Sequence, residues 1–163
     1  MSSEFTVRPA TPDDVGLIRQ FIVELADYEK LSHQVVVDDE ALRTHLFGAR
    51  PSAEALLGFA GEEPAAFAIF FQNFSTFLGR PGLYLEDLFV RPDYRRRGFG
   101  RAMLVHLARE ATRRGCGRFE WTVLDWNEPA IKFYEGLGAT VLPDWRICRV
   151  TGDALTALAE IRD

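Results

Sequence analysis

Residues 84–111 read YLEDLFVRPDYRRRGFGRAMLVHLAREA. A mainly apolar strand, Tyr84 to Val90, passes through a basic, glycine-containing turn into a helix whose Gly100, Met103, Leu104, Leu107, Ala108 and Ala111 recur at helical spacing. Arg95, Arg96 and Arg97 stand immediately before Gly98-Phe99-Gly100. They crowd a helix end that already carries partial positive charge and unpaired N–H groups, at a cost of about 0.3–1 kcal/mol each. A bound anion reverses the sign of that interaction. Gly98 and Gly100 have no Cβ and let the backbone come close to such a ligand. The alternative is a solvated basic turn with glycine for geometry. The strand before it and the helix after it favour an anion site.

Two nucleotide motifs fit poorly. A phosphate loop of the Gly-Lys-Ser/Thr type is excluded, because Arg101 and Ala102 follow Gly100. A dinucleotide fingerprint would gain a ribose-binding acid in Glu120, but its third glycine is Met103, and Arg91 to Arg97 separate the strand end from Gly98 where a tight turn is required.

The Arg95-x-x-Gly98-x-Gly100 turn after LEDLFV resembles the acetyl-CoA pyrophosphate loop of the GNAT superfamily of N-acetyltransferases. ELADYEK at 24–30, YLEDLFV at 84–90, RRRGFG at 95–100 and WNEPAIKFYEGLGA at 126–139 stand in the order and spacing of its diamine acetyltransferase branch, the spermidine/spermine and thialysine enzymes. The resemblance covers nearly the whole chain. It implies an α/β fold with a mixed, mostly antiparallel sheet flanked by helices. That sheet parts after the Glu86 strand, so that acetyl-CoA lies between it and the Phe119 strand. It implies cofactor contacts from Leu88, Phe89, Val90, Arg95, Arg96, Arg97, Gly98, Phe99, Gly100, Arg101, Asn127, Ala130 and Phe133. It implies an amine site formed by Tyr28, Glu29, Glu86, Asp87 and Phe77, with Tyr134 and Glu86 catalytic, and a homodimer.

The local sequence offers plainer alternatives. Tyr28 and Glu29 read as a solvated helix end, Tyr134 as a core aromatic, and a salt bridge accounts for either acid of LEDLFV. Strand alternation sends Glu86 and Asp87 to opposite faces. A carboxylate turned inward without a partner is costly, so one of the two requires an arginine, water or a cationic substrate. Phe67, Phe70, Phe71, Phe74 and Phe77 form an aromatic region expected to be mostly sheet core, with Phe77 walling a substrate channel.

Composition narrows the rest. At 163 residues, 47% hydrophobic and 26% charged, the chain has the material for one domain and no room for a second. A net charge of −5 argues against nucleic-acid binding through bulk positive charge and suits cationic substrates. Cys116 and Cys148 form no CxxC pair, which points to a reducing interior. His33, His45 and His106 share no ligand spacing, so no metal is expected. MSSEFTVRPA lacks signal-peptide character and no apolar run is long enough for a membrane span, which makes a cytoplasmic protein the expectation.

Other elements follow from local signals. Phe5–Arg8 is a strand. Thr11-Pro12-Asp13-Asp14 starts a helix running to about Lys30, with Val15, Ile18, Phe21, Ile22 and Leu25 inward. Asp38-Asp39-Glu40 starts another, through about Phe47. Residues 53–60 and 64–74 form a hairpin about Gly61-Glu62-Glu63, and 119–124 is the next strand. Asn127-Glu128-Pro129 starts a helix ended by Gly138. Residues 139–142 and 145–150 read as closing strands, and 154–161 as a terminal helix. The expected reaction is acetyl transfer from acetyl-CoA to a primary amine of a polyamine, a diamine or a thialysine-like amino acid, without a metal. Arg146 makes a substrate bearing a carboxylate attractive. A non-catalytic acyl-CoA-binding module and a peptide lysine acetyltransferase remain the rivals.

Overall fold

The computed structural model describes residues 4–162. These fall into two compact units, one ending at Thr122 and the other beginning at Val123. The first holds a five-stranded sheet in the order β1 (Phe5–Pro9), β2 (Glu54–Ala60), β3 (Glu63–Ser75), β4 (Arg80–Val90) and β5 (Arg118–Glu120). β1 to β4 are antiparallel neighbours and β5 joins β4 in parallel. This is the mixed, mostly antiparallel α/β architecture expected.

Helix α1 (Val15–Tyr28) and helix α2 (Asp39–Phe47) cover one face. Val15, Ile18 and Phe21 of α1 and Leu42 and Leu46 of α2 pack with Leu57, Phe67, Ile69 and Phe89 of the sheet. The Phe21 and Phe67 rings stack at 5.1 Å. α1 is entered through a 3-10 turn, Pro12–Asp14, in which the Asp14 carboxylate accepts from the Thr11 N–H at 2.7 Å. Arg8 also bonds Asp14, chiefly holding that carboxyl down to about 2. Asp38 caps α2 by accepting from the Ala41 N–H at 2.8 Å. Helix α3 (Phe99–Arg113) buries Phe99, Met103, Leu104, Leu107 and Ala111 and ends at Gly115, whose φ of 73° only glycine takes freely.

The second unit contains α4 (Glu128–Gly136) and α5 (Gly152–Ala159). The Asn127 side chain caps α4 by accepting from the Ala130 N–H at 3.3 Å. The closing strands expected at 139–142 and 145–150 are not strands here. A strand exists only where a neighbour completes its hydrogen bonds, and no ladder forms in this unit among the described residues.

Alternation along β4 also fails at one place. Asp87 pairs with Ile69 and Leu85 with Phe70, leaving Glu86 as the extra residue of a β-bulge. Glu86 and Asp87 are therefore not simply divided between two faces. The aromatic region splits as well: Phe67 and Phe70 are core, whereas Phe74 and Phe77 are exposed on the β3–β4 hairpin.

Candidate active site

The site is built at the far end of β4. The β4–β5 ladder covers only Gly82–Tyr84 against Arg118–Glu120, so β4 runs on to Val90 with no strand beside it on that edge among the described residues. The Arg91 N–H donates to the Ala65 carbonyl at 2.9 Å. Because amides along an antiparallel strand alternate in direction, those of Leu88 and Val90 face the open edge. Phe89 differs: its side chain is in the core against α1.

Beyond the edge comes the turn. Arg96 holds a left-handed φ of 62° without being glycine, and Gly98 caps α3 at φ 80° with no side-chain hydrogen bond to the helix. The first helical bond is Ala102 N–H to Gly98 O, so the amides of Phe99, Gly100 and Arg101 have no intrahelical partner. A Cβ on Gly100 would meet only Val90 Cγ2, at 3.8 Å. Packing within the protein therefore does not demand glycine there, and the space is available to a ligand. Uncapped donors, exposed Arg96, Arg97 and Arg101 and this space fit a pyrophosphate. The Phe99 side chain takes no part, being stacked on Phe5 at 4.1 Å.

On the α1 face, Asp87 lines a cleft of about 310 Å³ with Glu29, Gln34 and an apolar wall that includes Ile22, Leu25, Val35 and Val37. Burial, then the neighbouring charges of Glu86 and Glu29, push the Asp87 carboxyl from 3.8 up to about 6. Glu86 itself is exposed. Structure thus brings Glu29, Glu86 and Asp87 together and singles out Asp87 as the acid that burial perturbs. Tyr28 is near this group, its ring 6.3 Å from that of Phe89. Phe77 is not. It lies in the hairpin beyond the Ser75–Arg80 pair, and Asp87 is seven residues up β4 from Arg80, about 23 Å at strand rise.

Arg91 went unmarked in the sequence. It forms a two-pronged pair with Glu24 at 2.9 and 3.0 Å, donates to the Pro64 carbonyl at 2.9 Å and lies over Phe21 at 4.5 Å. A partner 67 residues away leaves no local signal. In the second unit, Tyr134 is half-buried next to the more exposed Phe133, and burial raises its phenol above the usual value. Ala130 lies in the first turn of α4, its N–H engaged by the Asn127 cap.

Residues 22–139 match the model of the acetyltransferase (GNAT) family. The chain belongs to this family. The GNAT chain is 36% identical to L-ornithine N5-acetyltransferase of Arabidopsis thaliana, over 95% of its own length and 88% of that protein's. It is 37% identical to thialysine N-epsilon-acetyltransferase of Mus musculus, over 94% and 96%. Among solved structures, an integron cassette protein from the mobile metagenome of V. cholerae superposes with a TM-score of 0.78 at 25% identity, over 99% of both chains. The protein is a GNAT N-acetyltransferase, and the acetyl donor of this family is acetyl-CoA.

Proposed function

We propose that the acceptor is the side-chain amine of a small amino acid of the ornithine or thialysine kind, or a diamine of similar length. The observation that carries this reading is the Asp87–Glu29 pair set in a cleft whose remaining lining is apolar apart from Gln34. Carboxylates suit the ammonium head, and the Ile22, Leu25, Val35 and Val37 wall suits a methylene stem.

Acetyl-CoA supplies a thioester whose carbonyl carbon is open to a neutral amine. Residues of this chain must therefore remove a proton from an amine of pKa near about 10.4. We assign that to the Glu86–Asp87 pair, with Asp87 in the cleft and Glu86 at its exposed edge. An acid at 3.8 faces a gap of about 9 kcal/mol to that amine, whereas Asp87 at about 6 faces about 6 kcal/mol. Apolar walls around the ammonium narrow the gap further by disfavouring its charge. The freed nitrogen bonds the acetyl carbon as the C–S bond breaks. The Leu88 and Val90 amides donate to the acetyl oxygen as it gains charge, and the uncapped α3 amides with Arg96, Arg97 and Arg101 hold the phosphates. Tyr134, kept protonated by its raised pKa, gives its proton to the departing sulfur, and the second proton that the attacking nitrogen loses as the amide forms passes through solvent to restore the phenol. Asn127 and the exposed Phe133 are assigned to the cofactor's remaining length.

The enzyme is assigned as a homodimer. Phe77, fully exposed and far along β4 from its own Asp87, serves as an amine-site wall only for a second copy. Cys116 and Cys148 are free thiols, which suits a reducing cytoplasm.

The test is thiol release from acetyl-CoA with ornithine, thialysine, lysine, putrescine, spermidine and a basic peptide. Turnover is expected on the short amines. Turnover on the peptide alone, or acetyl-CoA binding with no turnover on any of them, overturns the reading.

A further inference from the structure

Arg95 opens the basic turn, yet its side chain does not follow the turn toward α3. Its Nε donates to the Val90 carbonyl at 2.9 Å, and its guanidinium lies 4.4 Å from the Tyr28 ring centre and 5.5 Å from that of Phe89. Both rings belong to the amine side of the site. Tyr28 is the last residue of α1 and precedes Glu29, while Phe89 is two residues from Asp87 on the same strand face. Arg96 and Arg97 differ: the first is exposed, and the second lies over Tyr94 at 5.5 Å.

The neighbouring contact explains why this matters. Glu24 and Tyr28 are four residues apart and so share one face of α1. Arg91 grips the first and Arg95 the second, so two arginines from the exit of β4 pin two successive turns of α1. Past Tyr28 the chain leaves the helix at once. Lys30 takes a left-handed φ of 60°, and the Leu31 N–H closes on the Ala26 carbonyl at 2.8 Å. Glu29 thus sits in the turn immediately after the ring that Arg95 covers.

We propose that the Arg95 side chain is a positioning residue of the amine site, bracing Tyr28 and Glu29 against the Asp87 strand, and not a ligand of the phosphates. The proposal rests on the small-amine reading above. It leaves phosphate binding to the backbone of the turn, the α3 amides and the exposed arginines. A planar cation over an aromatic face adds a favourable contact, and loss of the brace should be read in amine KM more than in acetyl-donor affinity.

The experiment compares wild type, Arg95→Gln, Tyr28→Leu and the double variant. Amine KM is measured at saturating acetyl-CoA, and acetyl-CoA Kd by calorimetry without amine. Arg95→Gln is expected to raise amine KM about five- to tenfold, the scale of one such contact, with acetyl-CoA Kd within about twofold. Tyr28→Leu alters an exposed ring and serves if the arginine variant folds poorly. The double variant should be no worse than the worse single one, as expected when both remove the same contact. A weakening of acetyl-CoA by tenfold with unchanged amine KM makes Arg95 a phosphate ligand and overturns the proposal, as does strict additivity of the two substitutions. Wild type without turnover on any short amine overturns the functional reading itself, an outcome seen before any variant is compared.

Discussion

Replacing Asp87 with asparagine separates its cost to the fold from its use in the reaction. Its carboxyl titrates at about 6 instead of 3.8 because it is buried, and because Glu86 and Glu29 add like charge. The folded-state value is above the unfolded one, so ionisation destabilises the native protein. The penalty is absent well below pH 4, grows between the two values, and is complete above pH 6. At about 1.4 kcal/mol per factor of ten, the full penalty is about 3 kcal/mol. The amide has nearly the same shape and does not ionise. Asp87→Asn should therefore exceed wild-type stability by about 3 kcal/mol at pH 8 and by roughly half of that at pH 5. For a chain of this length the larger figure raises Tm by about 6–12 °C. Activity should move the other way, falling about 10²–10⁴-fold as the proton acceptor is lost. Urea titrations of both proteins from pH 5 to 8, with turnover measured on the same samples, check the pair of effects. A stability difference that does not change with pH refutes the raised carboxyl. Full turnover in Asp87→Asn refutes its catalytic use.

Related substitutions probe the remaining assignments. Wild-type kcat/KM should fall below about pH 6 as Asp87 gains its proton. Glu29→Gln removes a charge that holds this carboxyl up, so the acid limb should move to lower pH; a limb that stays or rises contradicts the arrangement. Gly100→Ala puts a methyl group in ordinary contact with Val90 at most and gains up to about 1 kcal/mol of helix propensity. Thermal stability should hold or rise while acetyl-CoA affinity drops, and unchanged affinity would show that the space is not used. Arg91→Met breaks a half-buried pair and strands Glu24, with an expected loss of about 2–3 kcal/mol in urea unfolding; a loss under 0.5 kcal/mol would deny the clamp. Tyr134→Phe should lower turnover about 10²-fold with acetyl-CoA binding intact, and full turnover would remove it from the reaction.

Local chemistry made most elements legible. Thr11-Pro12-Asp13-Asp14 announces α1, Asp38 announces α2, and the apolar spacing from Gly100 to Ala111 defines α3, because caps and periodicity act within a few residues. The strand–turn–helix passage was legible for the same reason, since its glycines and arginines are contiguous. What escaped depends on register or on distant partners. Nothing in LEDLFV says that Glu86 is the bulged residue. That follows from how β3 lies against β4, and it decides which acid enters the cleft. The Arg91–Glu24 pair spans 67 residues, and Phe77 carries an apolar side chain with no local sign that a hairpin tip would expose it. The segments at 139–150 have strand composition, but composition supplies no neighbour with which to form a ladder.

The local rules that the chain breaks converge on the exit of β4. Arg96 adopts a conformation that suits glycine, Gly100 occupies a helix position that alanine would fill without a clash, and Asp87 carries a charge into an apolar cleft. Each is unfavourable in the protein by itself, and on the proposed reading each is offset when an anion lies on α3 or an ammonium enters beside α1. Such a region needs anchors that do not depend on ligand. Arg91 supplies one through Glu24, Pro64 and Phe21, and Arg95 supplies the next turn's through Tyr28. On the reading proposed above, two arginines that begin and end the short passage from β4 to α3 hold the α1 wall of the cleft against the strand. A shift of that turn on binding acetyl-CoA would move Arg95, and with it Tyr28 and Glu29. If Arg95 braces the amine site as proposed, donor binding would have a mechanical route to that site, and the order in which the two substrates bind should be sensitive to Arg95→Gln while the Asp87 titration persists.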